Sequence, residues 1–177
     1  MATRRVELFG APERFETPTV GDEKEMLVAV LNAQRATLEL KCRGLTVELA
    51  TRSVPPSTLS LLGLVRHLAD IERRWFRRVI AGQDAPDRFS SADQPDGDFD
   101  GARPDPDVIA QAWVAWRDEV AFADSLTEES DLDASGVDVW RGTVTLRWVL
   151  IHMIEEYARH NGHADLLRER IDGAVGV

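Results

Sequence analysis

The sequence predicts an all-α protein, a four-helix bundle with long crossover loops. Four long segments repeat their apolar residues at helical spacing, and few segments alternate as strands do. The chain has 177 residues, 44% of them hydrophobic, which is enough for one domain with a sizeable core. We therefore expect a single domain over residues 1–177, in which residues 1–20 form an extended arm.

The first two predicted helices lie in the N-terminal half of the chain. Asp22 stands before a run of acidic and apolar residues and favours a helix start, so the first helix is expected over about 22–43. Ser57 is a suitable N-cap for the second helix, expected over about 58–81. The apolar residues of this second segment recur at helical spacing, which predicts one buried face.

The other two predicted helices lie in the C-terminal half. Asp105 or Asp107 caps the third helix, which is expected to continue to about Leu126. The fourth helix is expected over about 144–171. Between these two helices, residues 139–145 contain the β-branched and aromatic residues typical of a short extended piece.

The connection 83–104 is rich in aspartate, proline, glycine and serine and has no regular period, so it is predicted to be a long polar loop. Loops of this length are often functional. Its aspartates do not match the twelve-residue calcium template, and the expected glutamate is missing. We therefore do not interpret as calcium ligands the four residues Asp93, Asp96, Asp98 and Asp100.

Charge and composition exclude several classes of partner. The formal net charge is −10, which argues against binding to nucleic acid or to an anionic membrane surface. No apolar run of about 18 residues is present, so no membrane span is expected. The N-terminal basic residues have no apolar segment behind them, which predicts no signal peptide and a cytoplasmic location. The single cysteine, Cys42, excludes an internal disulfide.

The most informative run lies at residues 152–163, which hold three of the four histidines. His152, Glu156 and His160 are spaced by four and line one helix face, and His163 continues it. The fourth histidine, His67, lies on the apolar side of the second predicted helix. Imidazole and carboxylate groups on facing helices are the ligands of buried divalent metal ions.

Two imidazoles and one carboxylate suit zinc, or a non-haem iron or similar metal. Three protein ligands leave a coordination position for water or substrate, which is the catalytic arrangement. Two other interpretations remain open at this point. A histidine on an apolar face is commonly a hydrogen-bonded core residue, and the spacing by four also fits an exposed polar face.

Two segments, 64–72 and 156–169, resemble the DinB/YfiT-like metal-binding four-helix-bundle superfamily, and the likeness extends over about 22–172. The nearest branch is the actinobacterial one that includes mycothiol-dependent maleylpyruvate isomerase. The resemblance implies a metal-binding bundle, and we expect a divalent metal, with zinc as first choice and nickel or iron as alternatives. The implied ligands are His67, Glu156 and His160.

The resemblance also implies a small-molecule substrate, mycothiol as a low-molecular-weight thiol cofactor, and a homodimer. Thiol-dependent transfer or isomerisation and hydrolysis by metal-activated water both remain open, with His152 or His163 moving the proton. Arg159 and Trp75 are candidates for binding the cofactor, although a surface arginine and a core tryptophan are the simpler interpretations. The alternative function is a non-catalytic, dimeric bundle that binds a metal or a small ligand.

Overall fold

The computed structural model describes residues 17–175, and this part of the chain is mainly helical. Residues 1–16, most of the predicted arm, lie outside the described residues. No helix in the described range is long and apolar enough to cross a membrane. In chain order the elements are α1 (Glu23–Cys42), α2 (Val47–Thr51), α3 (Leu61–Glu72), a π-helical segment (Arg73–Ile80), α4 (Gly97–Asp100), α5 (Pro106–Glu129), β1 (Ser135–Asp138), β2 (Gly142–Thr145) and α6 (Leu146–Ile171).

Polar side chains begin the long helices. Asp22 caps α1, where its carboxylate accepts a hydrogen bond of 2.9 Å from the backbone N–H of Glu25. The predicted cap of the second helix was wrong by one turn. Ser60, not Ser57, accepts from the backbone N–H of Gly63 at 3.1 Å, so the helix begins three residues later than expected. Both serines are suitable caps, and the structure uses the one that directly precedes the buried apolar run.

The C-terminal elements also refine the predictions. Asp105, one of the two predicted caps, begins α5, and the helix continues to Glu129, three residues past the expected end. The extended piece is a β-hairpin in which β1 and β2 pair antiparallel. Because residues 142–145 belong to this hairpin, α6 starts at Leu146, with Thr145 as its cap, and not at 144.

The long helices pack in a way that brings two of the predicted site segments together. Helix α1 packs along α6, α3 packs along α5, and α3 also contacts α6. The residues completely removed from solvent at these contacts are mostly apolar and include Leu38, Leu68, Phe76 and Met153. The α3–α6 contact is the one that positions the site, because His67 lies on α3 and the histidine-rich run lies on α6.

A π-helical segment continues α3 without a break. Its wider turn is seen where the N–H of Ala81 donates to the carbonyl of Phe76 at 2.9 Å. The β-hairpin lies directly against this segment. A Cβ atom at Gly136 would overlap the carbonyl oxygen of Val79, so only glycine permits this close approach. The π-helical segment therefore places the hairpin beside Trp75, on the side of the molecule that carries the site.

The long connection 83–104 is held against α3. The carboxylate of Asp70 accepts backbone N–H groups from three consecutive loop residues, at 2.7 Å from Arg88, 3.1 Å from Phe89 and 3.0 Å from Ser90. Further along, the short helix α4 contacts α3 again. The connection therefore returns along the helix that carries His67.

Candidate metal centre

The structure brings together the three side chains predicted as metal ligands. One ligand atom from each of His67, Glu156 and His160 lies within 4.8 Å of the other two. On α6 the Glu156 Oε2 atom is 3.5 Å from His160 Nε2, and the rings of His67 and His160 have centroids 4.8 Å apart. The contact between α3 and α6 therefore brings one potential ligand atom from each of these residues into a single cluster.

His67 is oriented by a neighbour that the sequence pattern did not indicate. Its Nδ1 is 2.8 Å from Oδ2 of Asp98, which is only 5% exposed, and the Phe99 ring stacks on the imidazole with a centroid distance of 5.1 Å. With the proton on Nδ1 donated to this carboxylate, Nε2 is left as an acceptor. A carboxylate behind the imidazole is the usual support of a metal-binding histidine.

The segment that carries Asp98 is fixed to α3 by Arg66. This guanidinium donates from Nε to the carbonyl of Asp98 at 2.7 Å and from Nη2 to the carbonyl of Gly97 at 2.8 Å. The same group lies 4.1 Å from the centroid of the Phe89 ring. Gly97 is required here, because a Cβ atom would overlap the Phe89 carbonyl oxygen. Asp98 is therefore held at a defined place beside His67.

The sequence offered little to single out Asp98. It is buried, while the other three loop aspartates compared with the calcium template, Asp93, Asp96 and Asp100, are exposed. The only local signal is its position between a glycine and a phenylalanine in an otherwise polar segment. That signal does not say which helix the loop will contact.

As at His67, the two ring nitrogens of His160 have different neighbours. Its Nδ1 lies 3.3 Å from Nδ1 of His163, so Nε2 is the atom that faces Glu156. Burial, followed by the charge of His160, lowers the pKa of His163. His163 therefore lies behind a candidate ligand and, by its contact, assists in orienting that ring.

The two oxygens of Glu156 have different neighbours. Arg159 Nη1 donates to Oε1 at 3.0 Å, while Oε2 faces His160. The His160 imidazole lowers the pKa of Glu156 to about 2 against the opposing effect of burial, and Arg159 contributes further. The Arg159 side chain is 56% exposed, so the predicted cofactor-binding arginine lies at the solvent edge of the cluster and contacts a candidate ligand directly.

His152 joins the cluster to a group of aromatic residues. Its Nε2 is 4.0 Å from Glu156 Oε1, and its ring stacks on Trp148 at 4.8 Å and meets the edge of Trp75 at 4.9 Å. Burial lowers the pKa of His152. Trp75 itself is 3% exposed, so it forms the wall behind His152 and presents little surface to a ligand.

The donor set fits a divalent ion. Two ligands about 2.1 Å from a tetrahedral zinc ion are roughly 3.4 Å apart, close to the 3.5 Å between Glu156 Oε2 and His160 Nε2. The side chains are partly open to solvent, with exposed fractions of 20% for His67, 13% for Glu156 and 10% for His160. Two imidazole nitrogens and one carboxylate oxygen would leave at least one coordination position accessible from outside.

A comparison with protein families gives a match over most of the chain. A family model described as mycothiol-S-transferase matches residues 26–173, which include every residue of the candidate metal centre. No match is found among curated proteins. The matched range covers most of the chain, and the family falls within the DinB-like superfamily that the two sequence segments resemble. The chain therefore belongs to the mycothiol-S-transferase family.

Proposed function

We propose that this protein is a metal-dependent thiol transferase that uses mycothiol as the thiol and a small electrophile as the second substrate. The observation that carries the proposal is the convergence of His67, Glu156 and His160 within 4.8 Å in a chain of the mycothiol-S-transferase family. When bound, a divalent ion such as zinc lowers the pKa of a thiol and so supplies a nucleophile at neutral pH. We also propose that the four long helices form one DinB-like four-helix-bundle domain.

The thiol of this reaction has to come from outside the chain. The one cysteine, Cys42, lies on α1, and burial raises its pKa to about 12. A thiol with so high a pKa is almost entirely protonated at neutral pH and is a poor nucleophile. An external thiol such as mycothiol is therefore the better candidate for the reacting sulfur.

The residues around the cluster have separate roles in this proposal. His67, Glu156 and His160 would hold the ion, while Asp98 keeps Nε2 of His67 directed at it. His152 Nε2, 4.0 Å from Glu156, would accept the thiol proton, because a neutral imidazole has one free acceptor nitrogen. A carbon–sulfur bond then forms to the electrophile, whose displaced electron pair leaves with its leaving group or moves onto the adjacent atom.

Metal stoichiometry is the first test. We expect about one ion per chain by elemental analysis of protein purified without added metal, and loss of that ion in His160→Ala and Glu156→Gln. The matched control is Glu155→Gln, one residue away, where the carboxylate is 67% exposed and the ion should be retained. Absence of metal from the wild type, or its retention in both ligand variants, would contradict the proposal.

Thiol binding and turnover form the second test. We expect mycothiol to produce a thiolate-to-metal absorption band with the cobalt-substituted protein. We also expect metal-dependent conjugation of mycothiol to a fluorogenic electrophile. Both should be lost in Glu156→Gln and kept in Glu155→Gln. If a metal binds but no thiol enters its coordination sphere, the protein is a metal-binding domain without this activity.

A further inference from the structure

A surface cleft lies between the β-hairpin and the start of α6. Its volume is about 570 Å³, within the size range of small-molecule sites. Two indole rings, one guanidinium and two threonines contribute to its lining, which consists of Trp140, Arg141, Thr143, Val144, Thr145 and Trp148. None of the predicted metal ligands lines this cleft, so it is a feature separate from the candidate metal centre.

Trp140 is unusual in being 78% exposed while held in a defined position. The guanidinium of Arg74 lies 4.6 Å from its ring centroid, and the same arginine pairs with Asp138 at 2.8 Å. The carboxylate of Asp138 also accepts the backbone N–H of Trp140 at 3.2 Å. An exposed indole that the structure fixes in this way offers a preorganised aromatic surface to a ligand.

A continuous stack of side chains connects this cleft to the candidate metal centre. Arg141 lies over the Trp148 ring at 5.2 Å, and Trp148 stacks on His152 at 4.8 Å with an angle of 14° between the rings. His152 in turn reaches Glu156. Trp148 and Glu156 are eight residues apart on α6, about 12 Å along a helix that rises ~1.5 Å per residue.

The lining indicates the chemistry of the ligand. Aromatic faces pack against the C–H faces of sugar rings, while threonine hydroxyls and a guanidinium hydrogen-bond to sugar hydroxyls. Among residues 17–175, no carboxylate forms an ion pair with Arg141, whose guanidinium lies over the Trp148 ring. Its N–H donors are therefore available to a ligand.

We propose that the cleft binds the inositol end of the glucosaminyl-inositol part of mycothiol, with the amino sugar and the cysteine arm extending along α6 toward the candidate metal centre. This inference rests on the proposed function. The cysteine arm spans about 6 Å from sulfur to the amino sugar, the length of roughly one extended residue and its side chain. The amino sugar ring spans most of the rest of the ~12 Å between Glu156 and Trp148, so the inositol ring that follows it reaches the cleft. The cleft would then distinguish mycothiol from simpler thiols.

The test compares two thiols on the cobalt-substituted full chain, with the thiolate-to-cobalt band as the signal. We expect mycothiol to bind at least about tenfold more tightly than N-acetylcysteine, which lacks the sugar part. Trp140→Ala should weaken the binding of mycothiol by roughly fivefold to tenfold, in line with the loss of an aromatic contact. The affinity for N-acetylcysteine should be unchanged. Equal effects on both thiols, or no effect on either, would overturn the proposal.

Two control variants test whether the effect belongs to the indole face. Trp140→Phe keeps an aromatic face and should retain most of the preference for mycothiol. Val139→Ala alters the neighbouring residue, which is 84% exposed and does not line the cleft, and should change nothing. If Trp140→Ala changes the sedimentation coefficient, Trp140 belongs to a protein interface, and the assignment to a sugar is wrong.

A second measurement separates this proposal from the proposed function. Thiol-free glucosaminyl-inositol should give a saturation-transfer NMR signal with metal-free wild-type protein and a much weaker one with Trp140→Ala. If this signal is present but no thiol reaches cobalt, the transferase proposal fails while the cleft assignment stands. If thiols coordinate cobalt but the sugar signal is absent, the cleft assignment alone fails.

Discussion

The candidate metal centre and the buried network around Glu72 both involve residues of α3 and α6. The negative charge of the carboxylate has different partners in the two places. Arg35 donates to both oxygens of Glu72, from Nε and Nη2, at 2.8 Å each, and Tyr157 donates its hydroxyl at 2.8 Å. Glu156, next to Tyr157 in the chain, instead directs one oxygen at an imidazole nitrogen.

The difference distinguishes a structural carboxylate from a candidate metal ligand. Glu72 is completely buried, and a bidentate guanidinium together with a hydroxyl satisfies its oxygens, which leaves no room for a cation. Burial and Glu72 raise the pKa of Tyr157 above its ordinary value, so its hydroxyl remains a donor. At the other cluster, two imidazole nitrogens and a carboxylate oxygen converge, and these are atom types that coordinate a divalent cation.

The largest expected effect is a contrast in stability between the two carboxylates. Glu72→Gln should reduce the free energy of unfolding by about 3 kcal/mol, because it leaves the buried guanidinium of Arg35 with only the half-exposed Asp124 as a charged partner. Glu156→Gln should reduce the free energy of unfolding of the metal-free protein by less, about 1–2 kcal/mol, because Arg159 is largely exposed and the contact with His160 is 3.5 Å long. Urea unfolding followed by circular dichroism measures both values, and similar losses in the two variants would remove the distinction.

The next effect concerns the residue that supports His67. Asp98→Asn should weaken metal binding by about 10-fold to 100-fold, since the imidazole loses the carboxylate that fixes its proton on Nδ1. Competition with a coloured chelator measures this affinity. Asp100→Asn, two residues away and exposed, is the matched control and should bind metal as the wild type does. Equal affinities in the two variants would show that Asp98 has no such role.

The smallest expected effect is the response of stability to acid at Glu119, a second buried carboxylate that forms ion pairs with arginines. Burial alone would raise its pKa, but hydrogen bonds from Arg77, Arg88 and Arg73 outweigh burial and lower it. A lowered folded-state pKa means that this stabilisation is present above about pH 4.5, the ordinary value, and is lost as the pH falls through the folded-state pKa.

Unfolding experiments at several pH values measure this dependence. Glu119→Gln should be less stable than the wild type at pH 7, and the difference should narrow in acid as the wild-type carboxylate becomes protonated. Glu129→Gln, at the exposed end of α5, is the control, and its free energy of unfolding should equal that of the wild type at every pH. A difference that is constant with pH would indicate that the guanidinium contacts of Glu119 do not depend on its charge.

Features that depend on near neighbours in the chain were predictable without a structure. Helical periodicity and capping residues located the four long helices to within a few residues, because backbone hydrogen bonds and side-chain caps act over about four positions. The same local rule placed Glu156 and His160 on one turn of α6. The apolar pattern around His67 allowed it to supply the third ligand from a facing helix, and the resemblance to a family supported that assignment, since periodicity does not identify which helices pack together.

Features that join distant segments became visible only in the folded molecule. Asp98 reaches His67 across 31 positions, and it does so because Arg66 and the close approach at Gly97 fix the path of an otherwise irregular loop. The position of the hairpin beside Trp75 likewise depends on the contact between Gly136 and the π-helical segment. Such contacts follow from packing in three dimensions, whose free energy is not encoded in the period of any single segment.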